Sequence, residues 1–366
     1  MLRPALVAAA LLTAGLTVGC GLSGADADPA ADRPAGDAAP LLSEVTPLGD
    51  PRGWDGATSA VVDDAPVDPV NDDPRPDLPT TVTDAQGTEV TVRDTSRILA
   101  LDVYGTLSRT VFELGLGESV VGRDISTQFA EAADLPLVTQ SGHDLNAEAI
   151  LDLDPTVILT DTSLGPWDVI LQMRDAGIPV VVVDSHRALD NVGALTRQVA
   201  EALGVPDEGR QLADRIEAEV DRVTAEIGKV APQDETDRLR TVFLYVRGQS
   251  GVYYMFGEGS GADSVIDALG LYDVAEEIDW NGMRPVTDEA VVAAQPDLIL
   301  MMTKGLESVG GVDALLDRLP ALANTPAGEH HRIVDMEDSR ILGFGPGTAA
   351  TLNALAVAIY APEAVS

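Results

Sequence analysis

The sequence is short of cations, cysteine and aromatic side chains, and each shortage excludes a class of function. Only 23 of its 366 residues are Lys or Arg, against 60 Asp or Glu, which leaves a net charge of -37. Lys229 and Lys304 are the sole lysines. Nucleic acid needs clustered cations to replace its counterions, and this balance argues against such a partner. One cysteine, Cys20, excludes a disulfide or a thiolate metal site within the chain. The N-terminal apolar stretch in MLRPALVAAALLTAGLTVGC is too short to span a bilayer stably. Also absent are a GxSxG elbow, an HExxH helix, a cysteine nucleophile beyond Cys20 and paired acids at a recognisable spacing, all of which argues against an enzyme.

What is present is globular: 45% of residues are hydrophobic and 23% charged, in a chain long enough for two domains. The first twenty residues combine one cation (Arg3), an apolar run and small residues before Cys20. They resemble a bacterial lipoprotein signal, which implies a signal peptide over 1–19 and a lipid on the Cys20 thiol. One acyl chain holds only marginally, so lasting attachment calls for the second chain that such processing adds. Residues 20–79 read as a disordered tether. From 21 to 79 there are ten prolines and thirteen acids against three arginines, with no Ile, Phe or Tyr. Such a stretch has little apolar surface to offset its ordering entropy.

Order is expected from TTVTDAQGTEVTVRDT, two alternating runs about Gln86-Gly87 that read as a β-hairpin. Short apolar strands then alternate with helical segments: RILALD, SVVGRD, LPLV, TVILTD and PVVVVD. That rhythm predicts a parallel sheet with helical crossovers, an N-terminal α/β lobe over 80–187. Residues 188–230 turn helical, broken at Gly204-Val205-Pro206, with Leu212, Ile216, Val220, Val223 and Ile227 at helical spacing. A second α/β lobe follows over 231–366, through RTVFLYV, PDLILMM, HRIVDM and the helix TAATLNALAVAIY. The lobes repeat each other. LNAEAILDLDPTVIL (145–159) aligns without gaps on VTDEAVVAAQPDLIL (286–300), with five identities that include Glu148 with Glu289. The fold class is therefore α/β, two Rossmann-like lobes joined by one long helix with a ligand cleft between them.

Candidate site residues lie on strand and loop ends. In LYVRGQSGVYY (244–254), strand alternation points Phe243, Tyr245 and Arg247 the same way, which brings a guanidinium to a phenol at the sheet's mouth. A cation there favours the ionised phenol. His143 follows Gly142 in the loop after LPLV, on the rim where α/β sheets bind ligands. Imidazole and phenolate are both iron ligands. Tyr253 and Tyr254 are rivals to Tyr245 by position. Adjacent His330 and His331 face opposite ways in a strand and cannot chelate one ion. FGEGSGA (256–262) lacks a phosphate-binding pattern and reads as a turn into a helix, His186 reads as a turn residue, and Met301-Met302 read as core.

This layout resembles the substrate-binding proteins of bacterial ABC importers for iron chelates, cobalamin and haem, over roughly residues 80–362. The motifs are the hairpin, the paired E-A-x-x-x-x-x-P-x-x-I-L units and the stretch ILGFGPGT. Within that family, QSGHDLNAEAI and LYVRG are similar to actinobacterial haem-binding members. The resemblance implies haem b as the transported ligand, with His143 and Tyr245 as axial ligands from opposite lobes and Arg247 supporting the tyrosine. It also implies a monomer at the cell membrane, lipid-anchored on the extracytoplasmic face. There Glu148 and Glu289 would dock on a permease dimer that works with an ATPase. Related proteins often carry Arg where Gly347 stands, so a carboxylate contact from that loop is not carried over. The alternatives are a ferric siderophore or cobalamin in the same fold, and a haem- or metal-dependent enzyme.

Overall fold

The computed structural model describes residues 38–365. The signal segment 1–19 and Cys20 lie outside the described residues. The first strand, β1 (Thr58–Ala60), belongs to a sheet whose other strands come much later in the chain. The expected hairpin follows as β2 (Thr80–Thr83) and β3 (Glu89–Val92), in the register Thr80↔Val92 to Thr83↔Glu89. Its turn closes on the Asp84 carboxylate, which accepts the Gln86 and Thr88 amides.

The N-terminal lobe carries β4 (Ile98–Leu101), the two-residue pair β5 (Thr139–Gln140) and β6 (Asp144–Leu145), then β7 (Val157–Thr160) and β8 (Val180–Val182). Its sheet is parallel in the order β4-β7-β8. Leu, Ile and Val dominate these strands because both faces are covered, and all three are fully buried. SVVGRD and LPLV do not form strands; they contribute single bridges, Ile98↔Val120 and Arg123↔Leu137. The reason is local. Pro136 has no donor for a ladder, and the buried Asp124 carboxylate gathers the amides of Asp102, Ser126 and Thr127 into a turn.

Helix Val192–Ala202 ends where Gly204 takes a positive φ of 73°, and Pro206 opens the 25-residue bridging helix Pro206–Val230. That helix buries Leu212, Ile216, Val223 and Ile227 on one face. The C-terminal lobe holds β9 (Arg240–Arg247), β10 (Val252–Phe256), β11 (Tyr272–Asp273), β12 (Met283–Pro285), β13 (Leu298–Met302) and β14 (Ile333–Met336). Its strand order is β1-β14-β13-β9-β10-β12, with β11 beside β9. The sequence repeat is a structural one. Helices Ala147–Asp152 and Asp288–Ala294 are capped alike, by Asn146 on the Ala149 amide and Thr287 on the Ala290 amide, and they lead into β7 and β13. No helix among the described residues is long and apolar enough to cross a membrane.

The tether is where the structure departs most from expectation. Residues 38–79 of the segment expected to be disordered are ordered against the body. Leu42 is buried, and β1 adds to the C-terminal lobe as a parallel neighbour of β14, pairing Thr58↔Val334 to Ala60↔Met336. Average composition conceals this. Two of its acids meet arginines of the body: Arg340 takes Asp64 and Arg215 takes Asp68. Its prolines supply an extended backbone with few donors to satisfy.

Candidate ligand cleft

Three parallel strands of the C-terminal lobe end on one edge, and each delivers a charged residue there. Arg247 is the last residue of β9, Lys304 stands two past β13, and Asp338 two past β14. Open α/β sheets bind ligands at this edge. The Arg247 Nη2 donates to Asp338 Oδ2 at 2.7 Å and its Nη1 to the Val246 carbonyl at 2.9 Å. Its Cζ lies 4.4 Å from the centroid of the Tyr245 ring, so the guanidinium covers the ring face rather than sitting beside the hydroxyl. Phe256 stacks on the same ring at 5.8 Å. Strand alternation holds as expected: Phe243 and Tyr245 pack on one side of the sheet, Val242, Leu244 and Val246 on the other. It also separates the rivals. Tyr253 packs with the far side, whereas Tyr254 pairs directly with Tyr245 and shares its face.

His143 stands on the opposite lobe, at the tip of the β5–β6 hairpin rather than in a plain loop before a helix. Gln140 pairs with Asp144, and the chain reverses through Ser141 (φ 48°) and Gly142 (φ 90°). Gly142 is required there, since other residues rarely hold that φ. The Leu145 amide donates to the Gly165 carbonyl at 2.6 Å, which pins the hairpin to the loop after β7. His143 keeps much of its surface open to water, yet the atoms crowding it at the cleft mouth lower its pKa below the usual value. The positive charges of Arg247 and Lys304 add to that, and Asp338 and Asp144 oppose it. His143 therefore feels the charged edge of the other lobe, and its neutral ring keeps a lone pair free.

Sequence reasoning missed a buried acidic group behind this rim. Asp102, Asp124 and Asp161 are fully buried with Arg187, whose Nη2 lies 2.5 Å from Asp161 and 3.7 Å from Asp102. Arg187 also covers the Tyr104 ring, its Cζ 5.5 Å from the centroid. The signal was visible, for RILALD, SVVGRD and TVILTD each end in one of these acids. Burial, then the charge of Asp102, raises Asp124 to about 7, and burial raises Asp102 as well. A carboxyl raised on folding binds its proton more tightly in the folded state, so this contribution stabilises at acid pH and fades as pH rises from about 4 toward 7. Asp124→Asn should flatten the pH dependence of melting temperature between about pH 4 and 7. A wild-type slope in that variant places the proton elsewhere.

Residues 103–339 match the model of the periplasmic binding protein family, well over half the chain. The chain belongs to the periplasmic binding protein family. Among solved structures it is 40% identical to the haem-binding protein HmuT, over 85% of this chain and 99% of that one, with a TM-score of 0.79. Structures of HmuT also exist with a histidine, a tyrosine or an arginine replaced by alanine, the last two being two positions apart as Tyr245 and Arg247 are. The periplasmic haem-binding protein RhuT from Roseiflexus sp. RS-1 is 36% identical over 75% of this chain and all of its own, with a TM-score of 0.66. A curated relative, the ABC transporter substrate-binding lipoprotein YvrC of Bacillus subtilis (strain 168), is 24% identical over 77% of this chain and 86% of its own.

Other residues of this periplasmic binding protein fall as follows. Glu148 and Glu289 are exposed in the first turns of the two repeated helices, and neither forms an ion pair among the described residues. A side chain built at Gly347 would come within 3.8 Å of Arg340 Nη1, so Arg340 supplies a cation beside that glycine. Both line a cavity between the lobes with Tyr104, Arg109 and Gln128. Tyr245 and His143 are not among the residues that line that cavity. His330 and His331 stand just before β14, not in it. Each has its own acidic partner: His330 lies 2.6 Å from Asp55, and His331 lies 3.3 Å from Asp313.

Proposed function

We propose that the chain is an extracytoplasmic haem receptor that captures haem b between its lobes and hands it to an ABC transporter. His143 and Tyr245 bind the iron from opposite sides. The observation that carries this reading is the placement of Tyr245 under Arg247, on the edge whose charges act on His143 across the cleft. Its support from relatives is the 40% identity to HmuT over nearly all of that chain. Ferric iron is hard, a phenolate is a hard anionic ligand, and a neutral imidazole completes the pair. In this reading the protein performs no reaction; it binds and releases. A siderophore or cobalamin has no comparable support among these relatives.

Arg247 orients the ring it covers and, through its charge, helps keep His143 neutral. The sign follows from His143. Its lowered pKa delays protonation on acidification, and removing Arg247 lets that pKa rise toward the usual value. Arg247→Ala should therefore lose haem at a higher pH than wild type, read as bleaching of the Soret band during an acid titration. Weaker binding by one constant factor at every pH would make Arg247 a clamp on the ligand's carboxylates instead.

Delivery follows from the repeat. Two like acids on two like lobes suit a partner with twofold symmetry, a permease dimer with its ATPase. Cys20 carries the lipid that holds the receptor, a monomer, on the outer face of the cell membrane.

A further inference from the structure

Of the three charged residues on the edge where β9, β13 and β14 end, two neutralise each other and one is left over. Arg247 and Asp338 pair at 2.7 Å. Both Asp338 oxygens are engaged, since Oδ2 accepts from Arg247 and Oδ1 accepts the Lys304 amide at 3.1 Å. Lys304 is exposed, and its ammonium makes no hydrogen bond or ion pair among the described residues. Its place is nevertheless fixed. A side chain built at Gly305 would come within 2.9 Å of the Val246 carbonyl and 3.5 Å of Arg247 Nη1. The helix Thr303–Val309 therefore lies against the end of β9 and sets Lys304 beside Arg247. The charge of Lys304 acts on His143 of the opposite lobe, which places the ammonium at the cleft mouth.

The two arginines of the cavity between the lobes are already committed. Arg340 pairs with Asp64, while Arg109 holds Glu113 at 2.7 Å and the carbonyls of Ala65 and Pro66 at 3.2 and 3.0 Å. Arg284 covers the Trp280 ring at 5.6 Å and pairs in register with Met255, whose side chain packs on the sheet face away from Tyr245. An unpaired cation at the mouth of a ligand cleft, in a chain of net charge -37, suits an anionic group on the ligand. Haem b brings two such groups, its propionates.

We propose that Lys304 clamps a propionate carboxylate of haem, so that the cleft selects porphyrins with free carboxylates over their esters. This rests on the haem reading and adds a contact for the part of the ligand away from the iron. Haemin and haemin dimethyl ester, whose propionates carry no charge, separate the clamp from the iron ligands. Binding of each is followed by its Soret band in the same dilute detergent. A charge-assisted hydrogen bond of this kind contributes about tenfold in affinity. Lys304→Gln should therefore weaken haemin binding about tenfold, leave the ester unchanged and keep the charge-transfer absorption. Lys304→Arg should restore haemin binding. Arg284→Gln removes the same charge from the other face of the sheet and should change neither ligand. Equal losses for haemin and ester in Lys304→Gln, or no loss for either, overturn the clamp while the haem reading stands. A loss of haemin affinity in Arg284→Gln as large as in Lys304→Gln overturns it too, as an effect of net charge. If wild type binds neither ligand, the haem reading fails and takes the clamp with it.

Discussion

Tyr245→Ala should abolish the phenolate-to-iron charge-transfer absorption of the haemin complex and weaken haemin binding by more than about 100-fold. Residues that only support a ligand commonly contribute about 10–100-fold, and an iron ligand contributes more. The fold should tolerate the change. Tyr245 is only partly buried at the end of β9, and Phe243 and Phe256 remain stacked beneath it at 5.1 Å. Tyr254, its cross-strand partner, is a phenol on the same face, so Tyr254→Ala is the control and should keep the band. His143→Ala should move the Soret band and keep the charge-transfer absorption. If Tyr254→Ala removes the band and Tyr245→Ala does not, the two tyrosines exchange roles.

The joint variant Glu148→Ala, Glu289→Ala should stop haem uptake by cells while leaving haemin affinity unchanged. Both acids sit in first helical turns, where a carboxylate also stabilises the helix by roughly 0.3–1 kcal/mol through the dipole. The caps themselves, Asn146 and Thr287, stay in place, so melting should fall by only a few degrees. Lost uptake with intact affinity assigns the acids to docking. Normal uptake assigns them to their helices alone.

Much of this architecture was legible because strands buried on both faces read as plain apolar runs, and the repeat marked two equivalent units. The Tyr245–Arg247 face came from strand alternation, the most dependable geometry in a sequence. The partners of those residues were harder to see. Asp338 meets Arg247, and the charge of Lys304 acts on His143, only because β14, β13 and β9 run side by side, and strand order is a three-dimensional fact. His143 was found by its loop, yet its hairpin depends on a pairing of two residues on each side, too short to show periodicity. The ordered segment 38–79 departs from its composition for a different reason. Composition reports what a segment can bury by itself, and this one is held by arginines and a sheet edge far away in sequence.

The most direct test of a haem receptor with one His–Tyr pair is a haemin titration of the purified protein followed by its absorption spectrum. A Soret band that saturates at one haem per chain, with a charge-transfer band that disappears in Tyr245→Ala, is the expected result. A protein that stays colourless in excess haemin, or one whose spectrum is unchanged in both Tyr245→Ala and His143→Ala, contradicts it.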